Sequence, residues 1–413
     1  MPGGGRPRGA GAGARDPRGD HRVSVRTAPR PARLAGGGGG RDHGGVPARS
    51  PEPHPEIERW IVRHARAGHW PGAAYAVGEP FAPRWGGAAG SLALEPSPEP
   101  ARPDALYDLA SLTKALVTAP LLLLLARDGV LDPDEPVDRW LPEMKGYAGR
   151  TPSYTDLMAH RAGLPAWAPL YRLARSADDV PRAVAALPPG GTPGKAPVYS
   201  CLGPILAGIA MERATGRPLA ELFRERLAAA LDLGETEIRF GPLPGGLRRR
   251  AAPTEAGRRH EEAMAGGCPR GRDDVPLRGE VHDGNAAFLG GAAGNAGLFG
   301  TAEAVHRLAS ALAVPGPLFD DREVERFRRP AARGGGDVRT FGFRSGLART
   351  APAGALGPSS FGHVGFTGTS VWIEPSRPLV AVLLSNRIHP EWREAPVQRW
   401  RREFHDLVAG SGA

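Results

Sequence analysis

The sequence predicts an α+β protein: a helix-flanked antiparallel sheet assembled from both ends of the folded body, with an all-α lobe inserted between them. Three observations predict it. Short apolar segments of strand character lie near both ends of the body, at about residues 73–92 and 361–385. The stretch between, from about 107 to 335, reads mostly as helix punctuated by Pro and Gly. Early in that stretch runs an almost wholly apolar segment, Ala115 to Ala126. A membrane span needs about 20 apolar residues, so this segment is expected to be a buried core helix.

The elements follow in order. Ile57 to Ala67 has helical spacing, with Ile57, Trp60, Ile61 and His64 on one face. Ala73–Gly78 and Trp85–Leu92 read as two strands of a hairpin. The apolar core helix comes next. Leu202 to Thr215 is apolar at helical spacing and is stopped by Gly216. From Phe361 to Ile373 apolar residues alternate with small and β-branched ones, and Leu379–Ser385 is an apolar strand. Glu394 to Leu407 reads as a closing helix.

Residues 1–50 stand apart from this body, which spans about 55–410. They hold five consecutive glycines, Gly36–Gly40, scattered prolines and almost no aliphatic periodicity. Such a segment buries too little apolar surface to offset its ordering entropy and is expected to be disordered. It carries ten Arg, three Asp and no Glu, so seven of the nine net positive charges of the chain lie there. The body is near neutral, and its charge gives no argument for nucleic acid as a partner. The tail lacks an apolar h-region and a cleavage-site pattern, so the chain is expected in the cytoplasm, with no membrane span. Two cysteines, Cys201 and Cys268, make no disulfide framework. The twelve histidines give no defensible zinc spacing, so neither a metal nor a cofactor is expected.

The chemistry is signalled by a contrast in composition. The chain has 50 arginines but only three lysines, Lys114, Lys145 and Lys195. Arginine does not give up its proton in a protein, whereas a buried lysine can. Lys114 follows Ser111 by three residues, at the start of the core helix. Residues three apart on a helix share a face, so the pair reads as a nucleophile beside its base. A serine at that place also meets unpaired N–H groups that favour negative charge. The competing reading of Ser111 is a helix N-cap. Two further stretches bear on the same site. Tyr199, in Pro197–Gly203, sits in a loop just before a helix, as a second acid/base or as a packing aromatic. Phe361–Ser370 is glycine-rich, as a strand approached by a ligand or as a bulge or hairpin.

In chain order these residues are Ser-x-x-Lys, a Tyr-x-x triplet, and His-x-Gly on a late strand. The arrangement resembles the serine β-lactamase and penicillin-binding-protein superfamily, in its β-lactamase-related branch of class C enzymes, esterases and D-amino-acid peptidases. Asp132–Val137, His160–Pro165, Val281–Ala286, Gly294–Phe299 and Phe366–Ser370 add to the resemblance, which covers about residues 55–410. It implies a sheet with an all-α lobe and a site in the cleft between them. It further implies Ser111 as the acyl-accepting nucleophile, Lys114 as its partner and Tyr199 as a second base. The backbone N–H groups of Ser111 and Phe366 match the oxyanion hole, and Cys201, His363, Gly365 and Arg387 are expected to bind the substrate. Two departures stand out. Cys201 replaces the amide or carboxylate expected to bond Lys114 and the substrate, and a thiol is a weak donor. His363 stands where many relatives have lysine, and histidine is mostly neutral at pH 7. Both argue against an efficient β-lactamase. Arg387, just after the last strand, is read as a replacement positive charge or as a solvated side chain. The expected activity is hydrolysis of a small ester or amide through an acyl-enzyme, as a carboxylesterase or a D-amino-acid or peptidoglycan-type peptidase. The substrate is then a small molecule or peptide. The rivals are a catalytically silent binding protein on the same scaffold and a weak β-lactamase.

Overall fold

The computed structural model describes residues 51–266 and 275–412. The expectations for residues 1–50 and for Cys268 lie outside them. In chain order, helix α1 (Pro55–Arg66) leads into the hairpin β1 (Gly72–Glu79) and β2 (Ala82–Ala93), then β3 (Glu99–Pro100) and β4 (Tyr107–Asp108). The core helix opens with a π-helical turn, Lys114–Thr118, and continues as α2 (Ala119–Arg127). The lobe holds α3 (Tyr154–Met158), α4 (Leu202–Thr215), β5 (Ile238–Phe240), α5 (Arg259–Ala265), α6 (Gly284–Phe288), β6 (Leu298–Gly300) and α7 (Ala302–Ala313) among its elements. The C-terminal part adds β7 (Ala332–Gly334), β8 (Asp337–Arg339), β9 (Arg344–Ser345), β10 (Phe361–Val364), β11 (Ser370–Glu374), β12 (Leu379–Ser385) and α8 (Val397–Gly410).

Among the described residues the main sheet has nine strands in the order β3-β2-β1-β12-β11-β10-β9-β8-β7. The two ends of the body meet where β1 pairs antiparallel with β12, Ala73 opposite Ser385 and Gly78 opposite Val380. Strand β12 shows why it reads as a continuous apolar run. Side chains alternate between faces with period two. Leu379, Ala381 and Leu383 face a core with Ile57, Trp60, Trp400 and Phe404 of α1 and α8. Val380, Val382 and Leu384 face the larger core with α2 and α7. With both faces covered, every position is apolar.

Helix α2 lies in that larger core. Leu121 to Leu125 are all buried, and each such side chain contributes about 2 kcal/mol of transfer free energy. Helix α4 ends where the sequence predicts, because Gly216 takes the left-handed conformation at φ 67°.

The structure departs from expectation at three places. The lobe is largely helical but also contains a three-stranded sheet, in the order β4-β6-β5. Its strands are two or three residues long, too short for a periodic signal. Phe361–Ile373 is not one alternating segment but two paired strands, β10 and β11, with the Gly-Phe-Thr-Gly stretch between them. The closing helix begins at Val397 rather than Glu394, because Pro396 precedes it and disfavours helical geometry at residue 395.

Candidate active site

Ser111 is mounted at the junction between β4 and the core helix. Strand β4 pairs with β6 through Tyr107–Gly300 and Asp108–Phe299. The chain then turns through Ala110, which has a positive φ of 46°. An alanine in that region is held there by its surroundings. The Ala110 N–H donates to Asp108 Oδ1 at 2.8 Å, and Ala110 O accepts from Thr113 Oγ1 at 2.7 Å. The turn leaves Ser111 partly exposed while Lys114 is 1 % exposed.

Lys114 Nζ donates to Ser111 Oγ at 2.7 Å and to Asn295 O at 3.0 Å. The π-turn that starts at Lys114 is a distortion common at functional sites. Burial pushes the Lys114 ammonium down, but ionised Cys201, Tyr199 or Asp283 beside it pushes it up by more, and the net direction is upward. The Cys201 share is absent while that thiol keeps its proton, and burial pushes the thiol up. Asn295 belongs to a segment threaded between helices. Gly294 O accepts from Thr118 Oγ1 at 2.6 Å, and a Cβ on Gly294 would stand 1.9 Å from Pro204 O. Asn295 Nδ2 donates to Asp283 Oδ2 at 3.1 Å.

Tyr199 lies over this pair. Its ring centroid is 5.5 Å from Lys114 Nζ and 5.0 Å from the Arg339 guanidinium carbon. His160 packs on it at 4.6 Å and His363 at 6.0 Å. The His160–Pro165 stretch secures the loop: Val198 N–H donates to His160 O, Ser200 N–H to His160 Nδ1, and Ser200 Oγ to Pro165 O. Burial, then Arg339, His363 and Lys114, hold His160 well below the usual histidine range.

The segment between β10 and β11 packs directly under the Ser111 turn. Thr367 Oγ1 donates to Asp108 O at 2.7 Å and Thr369 Oγ1 to Leu109 O at 3.1 Å. A Cβ on Gly365 would stand 2.6 Å from Leu109 O, so this close approach requires glycine. Within the described residues no hydrogen bond engages the Ser111 or the Phe366 N–H. His363 is buried, with Nδ1 3.0 Å from Val364 O and Nε2 unpartnered. Burial, then Lys114 and Arg339, keep it well below the usual histidine range, so it is neutral. Arg387 is not a solvated side chain. Its Nε donates to Phe366 O at 3.2 Å, its guanidinium lies 5.3 Å from the Phe366 ring, and burial pulls it down.

These residues enclose a cavity of about 480 Å³ lined by Ser111, Tyr199, Cys201, His363, Gly365, Phe366 and Arg387. The structure thus brings every candidate from the sequence to one place, with Lys114 beneath Ser111. Sequence reasoning missed Glu261, Arg339 and Arg344 and gave Asp283 no role beyond its place in the Val281–Ala286 stretch; all four line the same cavity. It also missed Arg401, a buried residue whose Nη2 donates to Gly365 O at 2.6 Å and Thr369 O at 3.0 Å. Its signal was an arginine beside Trp400 on the buried face of α8.

Comparison with known proteins gives the family of the chain. The beta-lactamase family model matches residues 57–405, and the chain belongs to that family. It is 29 % identical over 370 residues to a putative D-alanyl-D-alanine carboxypeptidase of Escherichia coli K12, covering 81 % of this chain and 82 % of the relative. It is likewise 29 % identical over 309 residues to an N-acetylmuramyl-L-alanine amidase of Bacillus subtilis 168, covering 69 % of this chain and 68 % of the relative. The fold matches that of EstCE1, a hydrolase with promiscuous acyltransferase activity, with TM-score 0.68 at 20 % identity over 86 % of this chain and 98 % of the other.

Proposed function

We propose that the protein is a serine hydrolase that cleaves a small ester or amide through an acyl-enzyme on Ser111. The observation that carries this reading is the 2.7 Å contact from the buried Lys114 Nζ to Ser111 Oγ at the base of the cavity. In its neutral form Lys114 takes the Ser111 proton as Oγ attacks the substrate carbonyl. The oxyanion that forms is met by the N–H groups of Ser111 and Phe366. Tyr199, above Lys114, passes a proton to the departing alcohol or amine, and later helps water to release the acyl group. The family match, and the carboxypeptidase, amidase and hydrolase names of its relatives, support ester or amide chemistry over other reactions. Neutral His363 adds no positive charge for a substrate carboxylate, so any such charge comes from the cavity arginines Arg339, Arg344 and Arg387.

The alternative is a silent binding protein on this scaffold, and Cys201 is the observation in its favour. A fluorophosphonate probe with mass mapping decides between them. Labelling of Ser111, lost in Ser111→Ala, supports the hydrolase. No labelling, with no turnover of p-nitrophenyl esters, D-alanyl peptides or nitrocefin, supports the silent protein.

A further inference from the structure

We propose that Glu261 and Asp283 form a subsite for a substrate ammonium group, so that the preferred substrate is an amino-acyl ester or amide with a free amine. The inference rests on the reading of the cavity as the substrate site and names the class of molecule it takes. Both carboxylates line the cavity together with Ser111. Glu261, on α5, is 5 % exposed. Its Oε2 accepts from the Gly284 N–H at 2.9 Å, while its buried Oε1 has no partner. A carboxylate oxygen buried without a donor is costly and calls for a ligand that supplies one. Gly284 is shaped to the arrangement: a Cβ there would stand 2.3 Å from Glu261 Oε1. Asp283 is anchored beside it, with Oδ1 accepting from Ala286 N–H at 2.8 Å and Oδ2 from Asn295 Nδ2.

The neighbouring wall suits a cation. Phe366, His260 and His282 line the cavity, with Phe366 stacked on His260 at 5.2 Å and on His282 at 5.5 Å; Trp392 backs His260 at 4.0 Å from outside the lining. Aromatic faces attract a cation, and the Arg387 guanidinium already lies 5.3 Å from the Phe366 ring on this wall. Burial first, and then Asp283, push Glu261 up to about 7, while the Gly284 N–H, His282 and Arg258 pull it down. His282 is itself paired with Glu255 at 2.7 Å, and Arg258 donates to His282 O and Val281 O. An ammonium arriving at Glu261 therefore displaces a proton near neutral pH, and its binding weakens as pH falls.

The test is calorimetric binding to full-length Ser111→Ala protein, which requires no turnover. The two probes are alanine p-nitroanilide and its N-acetyl derivative. At pH 7.5 the free amine should bind about tenfold more tightly, the scale of one charge-assisted hydrogen bond. The preference should shrink at pH 5.5, although the amine itself is more fully charged there, and should vanish when Glu261→Gln is added. Should that variant fail to fold, Glu261→Asp, which withdraws the carboxylate by one methylene, should give an intermediate preference. Equal binding of the two probes, no binding of the amine at millimolar concentration, or a preference untouched by both Glu261 variants overturns the subsite. The hydrolase reading fails separately, on an unlabelled Ser111 in wild-type protein.

Discussion

Lys114→Arg tests whether Lys114 is a base or only a charge. Both side chains are cationic, but guanidinium does not accept the serine proton. Lys114 Nζ is 2.7 Å from Ser111 Oγ and 3.0 Å from Asn295 O, and the residue is 1 % exposed. Loss of one general base slows a reaction by about 10²–10⁴, or about 3–5 kcal/mol of barrier. The larger guanidinium must also fit a sealed site, which costs about 1–3 kcal/mol of stability. Rates are therefore compared per folded molecule, with melting temperature recorded in parallel. The assay is the pre-steady-state burst of p-nitrophenol from p-nitrophenyl butyrate, with the acyl-enzyme mass measured on Ser111. The pH dependence adds a second signature. A lysine base works as the neutral amine, and Lys114 is pushed above its ordinary value by its neighbours once they ionise. Wild-type acylation should therefore keep rising with pH into the alkaline range, and the arginine variant should lack that rise. An arginine variant within about tenfold of wild type, with the same alkaline limb, would refute Lys114 as the base.

Other perturbations probe the surroundings. Cys201→Asn should speed acylation about tenfold, equivalent to about 1.4 kcal/mol, because an amide offers Lys114 an acceptor and offers the unpartnered Asn295 Oδ1 a donor; slower acylation with a lowered melting temperature would show that the thiol packs as a small apolar group. Glu261→Gln should stabilise the protein above pH 7 and not near pH 4. The folded carboxyl sits at about 7 against an ordinary 4.5, so wild type alone loses about 3 kcal/mol as pH rises through that interval; equal effects at both pH values in thermal melts would contradict this. Asp156→Ala should cost about 1–3 kcal/mol, since this fully buried carboxylate accepts from the Ser153 N–H, Arg150 and Arg161, and the two arginines it leaves behind reach solvent; an unchanged urea midpoint would contradict it.

What could be read from the chain alone was whatever rests on local pattern. Helix α4 was legible to the residue because its apolar spacing and its stop signal, Gly216, are adjacent in sequence. Strand β12 was legible because cores on both of its faces make it an apolar run. The Ser111–Lys114 pair was legible because both partners lie within one turn. The roles of Asp283, Asn295 and Arg401 were not, even though the first two lie in stretches that carry the resemblance, because those roles depend on contacts between distant segments: Asn295 O reaches Lys114 across 181 positions. The π-turn at Lys114–Thr118 was also invisible, since a single added residue in a helical turn leaves an all-apolar run unchanged.

The contacts around Ser111 also divide the site into a rigid half and an adjustable half. The turn that carries Ser111 is fastened from three directions: Asp108 Oδ1 on the Ala110 N–H, the Thr367 and Thr369 hydroxyls on Asp108 O and Leu109 O, and Arg401 on the loop that carries those threonines. Each fastening is a buried hydrogen bond, and leaving any partner unpaired costs about 1–3 kcal/mol. Such redundancy can hold Ala110 at positive φ. The opposite wall is built differently. Glu261 has a single hydrogen bond and an unpartnered oxygen, and it sits on a helix of seven residues. A carboxylate so placed is replaceable without disturbing the mount, so substrate preference can change at Glu261 while the chemistry at Ser111 persists. Loss of Arg401, by contrast, should lower turnover of every substrate together.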